Sequence, residues 1–294
     1  MALNLSLLAG MLILQWGILF ALPQWVTGGV FLDGAAVLAV LLSLPLWALI
    51  HECMHGVLTG RQRFDQMAGR VLAVLFGAPY RVLRAGHLLH HRYNRQPPDR
   101  SEIYDARQRT RIRAALSYYA VLLGGLYLAE LSTSLLFWLP LPVLRALRSR
   151  MSDKTGLAGR IVDAVTGRAA VLFEVRLDAL LILLIWGAAF VVWGANGWVL
   201  ALILAGRAVL ISLHDNLYHY ATALDGHSVS TPRLPVLVSS LLLHFNYHAT
   251  HHRYPRLGWQ LLPQRFFAEQ GEFTGYWGRM LLRQLKGPLP DKGT

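Results

Sequence analysis

Leu44-Pro45-Leu46-Trp47-Ala48-Leu49-Ile50-His51-Glu52-Cys53-Met54-His55 begins as an uncharged apolar stretch and ends on two histidines four positions apart. The apolar part closes a longer run, from about Val30 to Ile50, of the length that crosses a bilayer as a helix. Continued as helix, it puts His51 and His55 on one face roughly 6 Å apart, so both rings can reach one metal region. The rest of the fold turns on what else crosses the membrane and where the other histidines lie.

Composition agrees with a membrane protein. Of 294 residues, 54% are hydrophobic and 15% charged, where a soluble domain carries roughly a quarter charged residues. Separated apolar blocks share one lipid slab, so residues 1–294 read as a single domain. The 28 Lys+Arg against 16 Asp+Glu could signal nucleic acid. In an apolar chain, however, basic residues mark cytoplasmic loops and anionic-lipid contacts, and no nucleic-acid partner is expected. Cys53 is the single cysteine, which excludes an intrachain disulfide and a Cys-based zinc site.

Working outward, Leu5 to Leu22 is uncharged and long enough for a first crossing, and a turn at Trp25-Val26-Thr27-Gly28-Gly29 follows it. From Gly56 to Arg113 arginine is dense, which predicts a cytoplasmic stretch. Its short apolar piece, Val71 to Ala78, is expected in the membrane interface. The block Ala114 to Leu139 is long enough to cross once, yet a second basic loop follows it (Arg145, Arg148, Arg150, Lys154, Arg160). If that loop is also cytoplasmic, the block must enter and return, and the re-entrant reading is preferred. Two more spans, about Leu177 to Trp193 and Trp198 to Leu213, bring the chain back to the side of the histidines. Beyond Pro232 nothing is long enough to span, and Phe266, Phe267, Trp277, Met280 and Leu281 among basic residues suggest an interfacial C-terminal region. The expectation is an all-α integral membrane protein with about four transmembrane helices, a re-entrant or interfacial helical pair and a cytoplasmic histidine cap. A bacterial inner membrane is the expected setting.

Two further histidine sets share one spacing: His87-Leu88-Leu89-His90-His91 and His248-Ala249-Thr250-His251-His252. On a helix the three rings fall within an arc of about 100°, while the adjacent pair diverges enough to serve two different metals. Two, three and three histidines make eight, and a tetrahedral zinc takes only three or four protein ligands. Paired metals are the economical inference, although imidazoles suit iron, copper, zinc or nickel and geometry alone does not choose. A structural role explains a lone His-x-x-x-His but not three sets, because buried unpaired imidazoles cost free energy. In His214-Asp215-Asn216-Leu217-Tyr218-His219-Tyr220, His219 is favoured as a further ligand. His214 is then structural or orienting, and Asp215 or Asn216 could orient a ring or a water. His244 precedes the third set by four positions and could cap or orient His248, while His227 has no partner.

At these residues the chain resembles the membrane fatty acid desaturase superfamily, which also holds acyl hydroxylases, carotenoid ketolases and alkane hydroxylases. His51-Glu52-Cys53-Met54-His55-Gly56 is similar to its first histidine box and His87 to His91 to its second. Asn246-Tyr247-His248-Ala249-Thr250-His251-His252, with Pro255 and Leu262-Pro263 after it, looks like the third. Two features depart from the family pattern: Thr250 stands where many acyl-lipid members carry an acidic residue, and the acidic pattern after the second box is loose, with Asp99, Glu102 and Asp105 available. The resemblance implies two irons on the eight box histidines plus one lone histidine at a span's end, best matched by His219, with Asp99 close by. It also implies O2 as co-substrate, C–H abstraction from a membrane lipid or acyl chain, and electrons from outside. No His-Pro-Gly-Gly haem motif is present, so the donor is expected to be separate, of ferredoxin, rubredoxin or cytochrome type. Desaturation is the expected outcome, with hydroxylation, ketone formation and oxidative decarboxylation as alternatives at the same centre.

Two other readings compete. His51-Glu52-x-x-His55 matches the zinc-protease motif, with Glu52 as general base and Asp225 of Leu224-Asp225-Gly226 as a third ligand. That leaves the second and third sets without purpose. A haem or metal carrier would instead spread its histidines across the bilayer, whereas these gather on one side.

Overall fold

A computed structural model describes residues 1–25, 30–151 and 156–291. The expected turn at Val26–Gly29 and the loop residue Lys154 lie outside the described residues. Helices dominate, as the sequence predicts. α1 (Ala2–Trp16) runs through a π-helical turn at Gly17–Ala21 into α2 (Leu22–Trp25), making one apolar rod. α3 (Val30–Leu41) and α4 (Ser43–His55) form the second rod, which Gly56 ends in the left-handed conformation. The described residues hold four helical stretches long and apolar enough to cross a membrane: Ala2–Gln24, Gly34–His55, Arg111–Leu136 and Ala169–Leu217. The last is a hairpin, α11 (Ala169–Trp193) and α12 (Gly197–Leu217), turning at Gly194–Asn196.

The Arg111–Leu136 stretch does not run straight. α7 (Arg111–Ala120) and α8 (Leu126–Leu136) meet at a break where Leu123 and Gly124 leave helical geometry. Gly124 has φ +123°, and a Cβ there would sit 3.2 Å from that of Ala208, midway along α12. Before the break, Tyr118 accepts from Asn216 Nδ2 (3.2 Å) at the open end of the α11–α12 hairpin. After it, Arg176 of α11 donates to the Phe137 and Leu139 carbonyls (3.0 Å each), again toward the open end. The chain therefore dips to mid-depth and returns, the re-entrant path preferred from the basic loop that follows.

A second dip corrects the sequence reading. Val71 to Ala78 is not interfacial: it forms the deep end of a hairpin of α5 (Gln62–Phe76) and α6 (Tyr80–Tyr93). Leu72, Ala73, Phe76 and Ala78 are fully buried. What pulls this piece down is Arg207 of α12, itself buried. Its guanidinium donates to the Phe76 carbonyl (2.8 Å) and to Ser43 Oγ (3.0 Å), and the Tyr127 hydroxyl donates to the same Phe76 carbonyl. A charge in an apolar setting has to be satisfied internally, and here the unpaired carbonyls at a helix end do it. The tips of both dips thus meet on one side chain.

α9 (Leu141–Arg150) and α10 (Leu157–Thr166), from the basic loop, fold back over α6 and α8. The polar cap continues with α13 (Val236–Leu241), α14 (His248–Arg253), α15 (Leu262–Ala268) and α16 (Trp277–Arg283). Two short parallel strand pairs pin its ends: Ile103–Tyr104 with Leu289–Pro290, and Pro232–Arg233 with Gly275–Tyr276.

Candidate metal centre

Four elements deliver histidines to one place. The last turn of α4 brings His51 and His55, α6 brings His87, His90 and His91, the turn after α12 brings His219, and α14 brings His248, His251 and His252. They sort into two sets, in each of which ring nitrogens lie within 4.8 Å of one another: His51, His55, His87, His91 and His251, and then His90, His219, His248 and His252. Adjacent histidines divide between the sets, His91 from His90 and His251 from His252, as the 100° helical step predicts.

The contacts within the sets run Nε2 to Nε2. His87 meets His55 at 2.7 Å and His91 at 3.0 Å, and His91 meets His251 at 3.1 Å. In the other set His252 meets His248 at 3.2 Å and His90 at 3.3 Å. Imidazoles bound about 2.0–2.1 Å from one ion place neighbouring nitrogens roughly 3 Å apart, so the spacing is that of two ligand shells. Several nitrogens have no other use: His51 Nε2 and both nitrogens of His219 are buried without a hydrogen-bond partner. The residues present fit a pair of metal ions.

Electrostatics favours the neutral, ligating form. Burial pushes His87, His219, His248, His251 and His252 well below the ordinary histidine value, and His91 down to about 2. His90 behaves differently. Burial works against its charge, but the Asp99 carboxylate, 2.7 Å from its Nδ1, outweighs burial and raises it. A carboxylate on the outer nitrogen fixes the ring and its tautomer so that Nε2 faces inward.

The other residues singled out from sequence fall elsewhere. His214 belongs to neither set; it is buried against Tyr218 and Phe245, with ring centroids 5.2 Å from each. The Asn216 side-chain amide donates to Tyr118 and to Gln284 Oε1 (2.7 Å) rather than to a histidine ring, while its backbone carbonyl accepts the His219 N–H (3.1 Å). His244 does not bond His248; its Nδ1 meets Ser239 Oγ (2.8 Å), which in turn donates to Asn246 Oδ1 (2.6 Å), bracing the backbone before the third set. Asp215 lies beside the centre in the wall of a cavity. His227 stands on an outer loop.

That cavity, about 590 Å³, escaped sequence reasoning. It runs from His87, His90 and Asp99 between α6, α8, α9 and α10, walled by Leu83, Leu126, Leu136, Phe137, Leu144 and Ile161. Glu130 and Asp215 also face it. Part of its wall, Leu144, Leu147, Leu157 and Ile161, comes from the loop that sequence marks only as basic. The Glu52 contact was equally invisible: its carboxylate accepts the Trp259 N–H (3.1 Å), tying the first set to the segment after the third. Asp225 accepts from the His227 and Ser228 N–H groups (2.8 and 2.7 Å) in its own loop and joins neither set.

No curated protein matches the chain. The family model described as fatty acid desaturase matches residues 30–280, which contain all nine clustered histidines and all but the first of the four stretches long and apolar enough to cross a membrane. The chain therefore belongs to the fatty acid desaturase family, as an integral membrane member.

Proposed function

We propose that this protein carries out O2-dependent oxidation of an unactivated C–H bond on a long apolar chain, most simply the desaturation of a fatty acyl lipid, at a di-iron centre. One observation carries the reading: His87 and His90 belong to the histidine sets and also line an otherwise largely apolar cavity. Its volume is within the range of small-molecule sites, roughly 300–1,000 Å³. We place the centre on the cytoplasmic side, where the arginine-rich loops gather.

A methylene chain offers no acid, base or electrophile, so a redox metal has to supply the oxidant. Two irons held by His51, His55, His87, His91 and His251 and by His90, His219, His248 and His252 would supply it by activating O2. The remaining work belongs to the protein. Leu83, Leu136, Phe137 and Ile161 present an apolar wall to the substrate and keep water out. Asp99 holds His90 in place. Desaturation balances as R–CH2–CH2–R′ + O2 + 2 e⁻ + 2 H⁺ → R–CH=CH–R′ + 2 H2O, so two electrons per turnover come from a separate donor. Hydroxylation, ketone formation or oxidative decarboxylation would use the same residues with a different C–H bond facing the centre.

The protease alternative finds no support in the geometry. Glu52 is engaged by the Trp259 N–H through one oxygen, with the other 3.8 Å from His51 Nδ1, and Asp225, the third ligand that reading needs, is occupied by its own loop. The test is lipid analysis by mass spectrometry of cells expressing the protein with a reductase and ferredoxin. New unsaturation at one position, absent in the His90→Ala variant, supports desaturation. A new hydroxyl or a chain one carbon shorter redirects the outcome, and an unchanged lipidome speaks against the reading.

A further inference from the structure

The histidine sets are reached from a second side. A recess of about 1030 Å³ opens on His55 and is built from Asn4, Gln62, Gln66, Arg84, Arg256 and Gln260, with backbone of the Gly56–Gly60 turn. It shares no lining residue with the apolar cavity, and no Asp or Glu lines it. Arg84 is anchored there, donating from Nε to the Met54 carbonyl (3.1 Å) one residue before His55. Two other recesses reach His91, and one of these reaches His252, but the Asp225 carboxylate lines both, and of their arginines Arg95, Arg100 and Arg253 are paired with Glu102, Asp291 and Glu269, leaving Arg92 opposite Asp225. The His55 recess is therefore where uncompensated positive charge and a clustered histidine coincide. The chain as a whole carries a formal charge of +12, and a concave site with low-dielectric walls concentrates such a field.

We propose that this recess docks the acidic face of a one-electron carrier protein, and that electrons reach the centre past the half-buried edge of His55. The inference rests on the di-iron reading and adds the place and the charge of the partner. In each encounter the reduced carrier loses one electron and the centre gains it, with no bond made or broken. Two encounters supply the two electrons of the desaturation balance. The separation of routes follows from the geometry: an apolar substrate approaches by His87 and His90, and a charged protein by His55, so neither blocks the other.

The experiment mixes pre-reduced plant-type [2Fe–2S] ferredoxin, an acidic protein, with the iron-loaded enzyme in detergent and follows ferredoxin oxidation by absorbance at several salt concentrations. Arg256→Glu is the test variant and Arg145→Glu, an exposed charge away from the recess, is the control. Dithionite reduction is measured in parallel. The expected result is a second-order rate reduced roughly tenfold or more in Arg256→Glu, with its salt dependence flattened, while Arg145→Glu and all dithionite rates match the unmodified protein. An unchanged ferredoxin rate in Arg256→Glu overturns the docking site. An equal loss in Arg145→Glu, or a parallel loss with dithionite, overturns it too, because the effect is then general charge or damaged structure. A protein that takes no electrons even from dithionite overturns the di-iron reading itself, and the docking site falls with it.

Discussion

His91 and His252 lie face to face, ring centroids 4.2 Å apart and planes 22° from parallel, although each belongs to a different histidine set. The stack joins α6 to α14 at the seam between the two ligand groups. It makes the sets one structure, since neither ring can move without displacing the other. Removing His252 is therefore expected to disturb both sets. In His252→Ala, iron content should fall in both positions rather than halve cleanly, and activity should drop at least about 100-fold, because loss of a ligand exceeds loss of an orienting partner. Iron analysis beside product formation checks this; one full iron retained with unaltered spectra would show the sets to be independent.

Asp99 acts on the centre through the outer nitrogen of His90. Asp99→Asn keeps the shape but removes the charge that raises His90. The expected effect is iron affinity lower by about 10–100-fold, measured by competition with a chelator, with the helical circular dichroism unchanged.

Arg207 holds the tips of both re-entrant hairpins, and its loss takes a charged donor from the Phe76 carbonyl and from Ser43 Oγ in an apolar interior, leaving Tyr127 alone on that carbonyl. Arg207→Met is expected to cost about 1–3 kcal/mol, read as a lower unfolding temperature in detergent. Lysine should recover little of it, since one ammonium cannot reproduce the guanidinium fork toward Ser43 and Phe76.

Ile161 of α10 faces the apolar cavity across from Gly86. Ile161→Trp should fill part of the 590 Å³ and shift the preferred substrate to shorter chains, with iron content unchanged. Competition between acyl chains of different length measures the shift, and an unaltered preference would remove this cavity from the substrate's path.

How much of this was legible in the sequence depended on range. The spans and the three histidine sets follow local rules, hydropathy over one helix length and the 100° step, so Leu44 to His55 announced both a membrane helix and a ligand face. The basic loop after Leu139, taken as cytoplasmic, favoured a return of the Ala114–Leu139 block over a single crossing. Depth was less accessible. Val71 to Ala78 is too short to span and reads as interfacial, and only Arg207, distant in sequence, explains its burial. The side-chain partners of Asn216 and His244 were out of reach for the same reason. Adjacency to the histidines suggested a ring or a water for Asn216 and capping or orienting of His248 for His244; their side chains meet Gln284, Tyr118 and Ser239, which lie elsewhere in the fold.

The central claim is that nine histidines hold two irons. The most direct measurement is metal content of the detergent-purified protein by ICP mass spectrometry, with Mössbauer spectra after growth on iron-57. Two irons per chain in a nitrogen-rich, coupled environment are predicted from the two ligand sets. One zinc per chain without iron, persisting after anaerobic reconstitution with ferrous iron, would contradict the account.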